Sequence, residues 1–184
     1  MRALARKPMT AEEFLYAYDG VEGRWELVDG VPVMMSGGTR RHAQVAGNIF
    51  AALRVKLRSS SCQPFGSDMG VHIHIHQVRY PDVSVLCDPR DAADELRQAH
   101  YPRIIFEVFS PSTADRDRGM KLIEYKSVPS VQMVIHVDPE TETSAAYHRL
   151  GARDWREYTV ERGDDLVLSP VDVTLSAADI FDRD

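Results

Sequence analysis

The pattern of hydrophobic and polar positions predicts short strands interrupted by helices. Residues Ile104 to Phe109 form an apolar run broken only by Glu107, which is typical of a central strand covered on both faces. Apolar residues recur at helical spacing from Arg40 to about Arg58, which predicts the most regular helix of the chain. Strands on both sides of helices favour a mixed α/β fold, and the length favours one domain over residues 1–184.

Turn and capping residues add further elements. Thr10, with Glu13 three residues later, predicts the capped start of a short helix, and Asp29-Gly30 between two apolar runs predicts a β-hairpin. Residues 88–102 are polar and predict a loop with room for one helical turn. The other predicted strands span residues 71–78, 82–86, 131–137, 144–150, 155–160 and 166–168, and a helix capped by Ser112 or Thr113 spans about 114–127.

Composition and charge exclude some classes of protein. The net charge of −6 counts against a surface that grips nucleic acid everywhere, although basic residues on the two main helices allow a local groove as readily as a solvated helix face. No apolar run approaches a membrane span, and the first residues carry no apolar core of a secretion signal. Cys62 and Cys87 lack metal-type spacing, so we interpret them as free thiols in a reducing cytoplasm.

Glu107 is the polar residue that the apolar pattern leaves unexplained. An unpaired carboxylate inside such a strand costs several kcal/mol, so a cation, a hydrogen-bond donor or a metal should accompany it. Asp82 begins a second short apolar strand 25 residues earlier. Two acids at strand positions suggest a shared cation site.

The order of these residues resembles the Uma-two family of restriction-endonuclease-like proteins, which belong to the PD-(D/E)XK superfamily. The resemblance covers nearly the whole chain and rests on Trp25–Gly30, Pro81-Asp82, the string Glu107–Thr113, Asp117 through Lys121, and Tyr125. It implies a mixed β-sheet flanked by helices, with an N-terminal hairpin and extra C-terminal strands.

The resemblance also implies a function. The family's chemistry would be hydrolysis of DNA phosphodiester bonds by a metal-activated water, with Mg²⁺ or Mn²⁺ as cofactor. Asp82, Glu107 and the backbone carbonyl of Val108 would hold the metal. Lys121 would orient or deprotonate the attacking water, or neutralise developing charge, and Glu26 would be an auxiliary acid. Candidate nucleic-acid contacts are Arg40, Arg41, His42, Ser110, Ser112 and Arg116. A cytoplasmic homodimer is the expected form.

Plainer interpretations stay open for each residue. Asp82 suits turn chemistry, Lys121 a solvated helix face and Glu26 a surface strand, while Glu107 and Lys121 suit a purely structural ion pair. Histidines 72, 74 and 76 alternate along one predicted strand, but without a further ligand a polar strand face is favoured over a zinc site.

Two rival functions accompany the nuclease hypothesis. Phe109 occupies the position where the superfamily usually has a catalytic lysine, and Lys121 on the following helix is the residue that matches instead. This departure and the negative net charge favour a non-catalytic nucleic-acid-binding or regulatory protein that retains the fold. The second rival is a structural or interaction protein, such as a partner in a toxin system.

Overall fold

The computed structural model describes residues 7–109 and 115–183, with residues 115–117 described by their backbone alone. Within these ranges the helices are Ala11–Ala17 (α1), Arg40–Lys56 (α2), Asp115–Ser127 (α3) and Ala177–Phe181 (α4). The strands are Trp25–Val28 (β1), Val31–Met34 (β2), Gln63–Gly66 (β3), Gly70–His74 (β4), Gln77–Arg79 (β5), Val83–Leu86 (β6), Gln98–Ala99 (β7), Pro102–Val108 (β8), Met133–Asp138 (β9), Thr143–Arg149 (β10), Trp155–Val160 (β11), Leu166–Leu168 (β12) and Val173–Leu175 (β13).

A six-stranded mixed sheet forms the centre of the fold, in the order β11-β10-β9-β8-β6-β3. Strands β8 and β9 are parallel and α3 connects them, while the other neighbours are antiparallel. The fold is therefore mixed α/β, as the sequence predicts.

Both faces of strand β8 are buried. Ile104 and Phe106 face the apolar side of α2, where Ile49 and Leu53 are fully buried with them. Ile105 points the other way and packs with Tyr125 of α3. The prediction of a central strand covered on both faces is confirmed, and this alternation sends Glu107 to the α3 side.

A five-stranded sheet in the order β2-β1-β5-β4-β7 packs beside the first. On one of its faces, Leu27 and Val78 are buried against Phe14 of α1. Its other face is joined to α3 by hydrogen bonds from Arg79 to Glu124. Helix α3 therefore lies between the two sheets and contacts both.

Several local predictions are confirmed. Thr10 and Glu13 form a complete capping box at the start of α1. Asp29 and Gly30 both have positive φ, 49° and 76°, as a type I′ turn requires between β1 and β2. The predicted cap of α3 by Ser112 or Thr113 lies outside the described residues.

The prediction of one strand over residues 71–78 is wrong. The segment is a hairpin of β4 and β5 with a register shift between His72 and His74. Its turn is fixed from far away in the chain, because the His76 ring donates to Met9 O (2.9 Å) and the His76 carbonyl accepts from Gly30 N (2.8 Å). His72 stacks instead against His100 at 4.7 Å, so the histidines do not line one strand face.

The prediction of free thiols is also wrong, because Cys62 and Cys87 form a disulfide. Strands β3 and β6 pair with Gln63 opposite Leu86, so the two cysteines face each other one residue beyond that pair, with Cα atoms 4.1 Å apart. The apolar pattern did not predict strand β3. Without this strand, nothing indicated that Cys62 and Cys87 lie opposite each other. Among the described helices, none has the length and apolar character that crossing a bilayer would need.

Reducing this disulfide is expected to lower the free energy of unfolding by about 3 kcal/mol, because the freed loop gains conformational entropy in the unfolded chain. Urea unfolding with and without a thiol reductant measures the difference. The double variant Cys62→Ser/Cys87→Ser is the control and should unfold at one urea concentration in both buffers. Two thiols that react with iodoacetamide in the denatured, unreduced protein would contradict the prediction.

Candidate active site

Asp82 and Glu107 meet because of the register between β6 and β8. Val83 lies opposite Phe106 in this antiparallel pair, so continuing the register by one residue places Asp82 opposite Glu107. Residues directly opposite each other share a face of the sheet. Asp82 is fixed there by a hydrogen bond, since its Oδ2 accepts from the backbone N–H of Val108 at 2.7 Å.

Glu107 has the partners that a buried carboxylate requires. Its side chain is only 12% exposed, its Oε1 accepts a hydrogen bond of 2.5 Å from the hydroxyl of Tyr125, and Lys121 Nζ lies 3.5 Å away. Lys121 and Tyr125 are four residues apart on α3 and therefore lie on one side of that helix. Burial raises the pKa of Glu107; the nearby Lys121 ammonium opposes that shift, and the charge of Asp82 adds to it.

Glu26 joins the same cluster from the other sheet. The β1–β5 register pairs Leu27 with Val78, so Glu26 lies opposite Arg79, and the Arg79 guanidinium donates to Glu26 Oε2 at 2.7 Å. The same guanidinium donates two bonds, of 2.7 and 2.9 Å, to Glu124 of α3. Lys121 Nζ lies 3.4 Å from Glu26 Oε1, so this ammonium bridges Glu26 and Glu107.

His42 reaches the site from the first turn of α2. Thr39 caps this helix by accepting from the backbone N–H of His42, and the imidazole Nε2 lies 3.2 Å from Asp82 Oδ1. The hydrogen bond to Asp82 raises the pKa of His42 against the opposing effect of burial. The backbone of Val108 also raises the pKa of the ring, with a smaller effect than Asp82. The imidazole therefore contacts Asp82, one of the groups predicted to hold a metal.

A glycine makes the position of this imidazole possible. A Cβ atom on Gly38 would lie 2.5 Å from His42 Nδ1, closer than real Cβ contacts come, whereas a Cβ on Gly37 would meet nothing within 4 Å. Any larger residue at position 38 would displace the ring from Asp82.

The charges of the cluster leave room for a cation. The carboxylates joined by these contacts are Glu26, Asp82, Glu107 and Glu124, and the basic groups are His42, Arg79 and Lys121. When Glu107 is ionised, four acids against three bases leave at least one negative charge in excess among these residues. Among the described residues, no group of three or more His, Cys, Asp or Glu side chains is placed to hold a metal ion. Two carboxylates and a carbonyl suit Mg²⁺, which keeps several waters.

The surface interpretations of two residues are wrong. Glu26 is 6% exposed, and the Lys121 side chain is 14% exposed. The ion contact between Glu107 and Lys121 is present, and it fits both a catalytic and a structural role.

Of the predicted nucleic-acid contacts outside the cluster, Arg41 has partners within the protein. Its guanidinium donates to Glu142 at 3.2 Å and to the carbonyl of Phe181 at 3.0 Å, which ties α2 to the end of α4. Arg40 is exposed. Ser110, Ser112 and the Arg116 side chain lie outside the described part. The binding roles of all five residues remain predictions.

Arg79, Glu124 and Tyr125 complete the cluster, and none of them was among the predicted site residues. Arg79 is 3% exposed and Tyr125 is fully buried. A charge directly after Val78 of the predicted strand, and a tyrosine one turn after Lys121, were the available indications.

Comparison with known proteins identifies the family of this chain. The model of the Uma2 family, described as "Putative restriction endonuclease", matches residues 11–178. The chain belongs to this family, which confirms the resemblance to the Uma-two family.

Relatives and a solved structure extend the match. Two proteins of Synechocystis sp., both named uncharacterized, are similar: slr1290 is 28% identical, covering 94% of this chain and 91% of its own length, and sll1609 is 26% identical, covering 81% and 85%. A crystal structure described as a putative nuclease belonging to DUF820, from Anabaena variabilis, matches with a TM-score of 0.72 over 95% of this chain and 98% of that chain. At 17% identity this likeness shows the fold.

Gly38→Ala is expected to lower the pKa of His42 towards its ordinary value, because the added methyl group moves the imidazole away from Asp82. NMR titration of the histidine ring protons measures this pKa, and His42→Asn assigns the signal. Gly37→Ala is the matched control and should leave the pKa unchanged. An equal drop in both variants, or none in Gly38→Ala, would show that the glycine does not position the ring.

The wild type is expected to become less stable between about pH 5 and about pH 8, and the Glu107→Gln variant is expected not to show this decrease. Burial raises the pKa of Glu107 from 4.5 to about 7, so stability tied to this carboxyl is present at low pH and lost as the pH rises through that window. The wild type should lose more than about 1 kcal/mol, the equivalent of one pKa unit. Urea unfolding at both pH values tests this, with the exposed Glu95→Gln as control. A variant as pH-dependent as the wild type would contradict it.

Proposed function

We propose that this protein is a metal-dependent endonuclease that hydrolyses DNA phosphodiester bonds. The observation that carries the proposal is the register that places Asp82 opposite Glu107, beside the ammonium of Lys121. Family membership gives the coarser class of nuclease-like protein, and the site chemistry supports the finer statement.

Asp82, Glu107 and the Val108 carbonyl would hold the cation. A hard divalent ion at this point would lower the pKa of a water and neutralise charge on the scissile phosphate. Asp82 is already oriented by the N–H of Val108, so its carboxylate needs little rearrangement to act as a ligand. His42 would turn aside from Asp82 or bind the phosphate, since its contact with Asp82 uses the same carboxylate.

Lys121 would act as a cation rather than as a base. Its ammonium lies between Glu26 and Glu107, and two neighbouring carboxylates favour the protonated form of an amine. In this role it would orient the attacking water and stabilise charge that develops on the phosphate. Glu26, held by Arg79, would keep the ammonium in place.

One observation favours the non-catalytic alternative. The ring of Phe109, at the usual lysine position, packs against the His136 ring at 4.8 Å and under the Arg118 guanidinium at 3.9 Å. A protein that kept this fold without turnover would still bind nucleic acid near these groups. Pairing of two sites in a homodimer remains a prediction.

Asp82→Asn and Glu107→Gln are each expected to reduce Mg²⁺- or Mn²⁺-dependent cleavage of plasmid or branched DNA by at least about a hundredfold, because each removes charge that would hold the metal. The same variants should lose the rise in melting temperature that Mn²⁺ gives the wild type at about pH 8. Glu95→Gln, purified in parallel, controls for contaminating nucleases.

The outcomes separate the three hypotheses. Cleavage that survives both substitutions would rule out this site. DNA binding without cleavage in the wild type supports the non-catalytic alternative. Loss of thermal stability in the variants, with no effect of metal or DNA on the wild type, supports a structural role for the Glu107–Lys121 pair.

A further inference from the structure

A cavity of about 220 Å³ lies on the face of the β1–β5 strand pair opposite to Glu26 and Arg79. Side chains alternate between the two faces of a strand. Trp25 and Tyr80 therefore point to the α1 side, whereas their neighbours Glu26 and Arg79 point to the active site. Continuing the β1–β5 register two residues beyond the Leu27–Val78 pair places Trp25 opposite Tyr80. The volume is below the roughly 300–1,000 Å³ of sites for drug-sized ligands, so the cavity suits one ring system.

Aromatic rings form the walls of the cavity, and contacts within the protein fix them in place. Tyr18 stacks on the buried ring of Phe14 at 5.1 Å and lies 5.0 Å from the ring of Trp25. The indole N–H of Trp25 donates to the carbonyl of Glu22 at 3.0 Å. The Tyr80 ring lies over Gly70, where a Cβ would approach it to 3.3 Å. These positions are preorganised for stacking.

The rim of the cavity carries two arginines, Arg24 and Arg97, and two acids, Asp19 and Asp68. Arg24 donates to the carbonyl of Ser67 at 2.8 Å and forms no ion pair with the described residues, so its charge is not neutralised there. Arg97, by contrast, is paired with Asp19 at 3.0 Å. A guanidinium has five donors, which leaves Arg24 able to bind a phosphate while it keeps its carbonyl partner.

We propose that this cavity binds one nucleotide of single-stranded nucleic acid, with the base stacked on Trp25 and Tyr80 and the phosphate at Arg24. Aromatic stacking of this kind accepts any base because every base has a flat π-face. The inference rests on the proposed function, since the nucleotide would belong to the DNA that the active site cuts. The two sites are one residue apart along β1, and the backbone N–H of Tyr80 lies 3.5 Å from Glu26 Oε1.

Trp25 can report on this binding directly. The chain has two tryptophans, so Trp155→Phe leaves Trp25 as the single fluorophore. We expect saturable quenching of its emission by a purine deoxynucleoside 5′-monophosphate, measured without divalent metal. The reverse variant, Trp25→Phe, keeps only Trp155 and should show no saturable change.

The charge at the rim is tested in the Trp155→Phe background. Arg24→Gln should raise the Kd of the nucleotide about tenfold, because a charge-assisted contact is lost, and Arg24→Lys should restore most of the affinity. Arg54→Gln, which removes the same charge from an exposed position on α2, should leave Kd unchanged. Thermal melts show whether each variant is folded. If Arg24→Gln is not folded, the Arg24→Lys variant still tests the role of the charge.

Other results would overturn the proposal. These are an absence of quenching at saturating nucleotide, equal quenching by inorganic phosphate alone, or an equal loss of affinity in Arg54→Gln. Cleavage assays on the same samples separate the two proposals. Quenching without any cleavage removes the nuclease function and leaves a nucleotide-binding cavity, whereas cleavage without quenching removes only the cavity site.

Discussion

The rest of the site depends on an excess of negative charge where the two sheets meet. Glu26 comes from the five-stranded sheet, and Asp82 and Glu107 come from the six-stranded one. Desolvating these acids together is costly, and bringing like charges close adds to the cost. Hydrogen bonds and cations must compensate within a few ångströms. Arg79, Lys121 and the hydroxyl of Tyr125 provide this compensation. The negative charge that remains is the charge that a divalent cation would neutralise.

Helix α3 contacts both sheets and brings their charged residues together in one site. Glu124 and Tyr125 lie three and four residues after Lys121, so one side of the helix carries all three. Glu124 holds the five-stranded sheet through Arg79, Tyr125 contacts Glu107 of the six-stranded sheet, and Lys121 contacts both. Because the helix also buries Tyr125 completely, the packing that stabilises the fold sets the geometry of the charges.

The sequence predicted the elements whose structure is locally encoded. Helix α2 and the β1–β2 hairpin follow from periodicity and turn residues. Asp82 and Glu107 meet because β6, which begins directly after Asp82, pairs with β8, which contains Glu107. Features fixed by distant contacts were missed. The turn at His76 depends on Met9 and Gly30, and the disulfide depends on the unpredicted strand β3. The need for glycine at position 38 also depends on a distant contact, because the His42 ring occupies the space beside Gly38 when it turns towards Asp82.

The position of the lysine follows from the same geometry. At the strand position two residues after Glu107, the ring of Phe109 packs between Arg118 and His136, so that position serves packing. An ammonium on α3 reaches Glu107 from above the sheet and, unlike a strand lysine, also reaches Glu26 on the other sheet. The position of the charge that the proposed chemistry would need therefore depends on how α3 packs against the two sheets. A change that tilts the helix would separate Lys121 from both acids at once, whereas a strand lysine would move only with its own sheet.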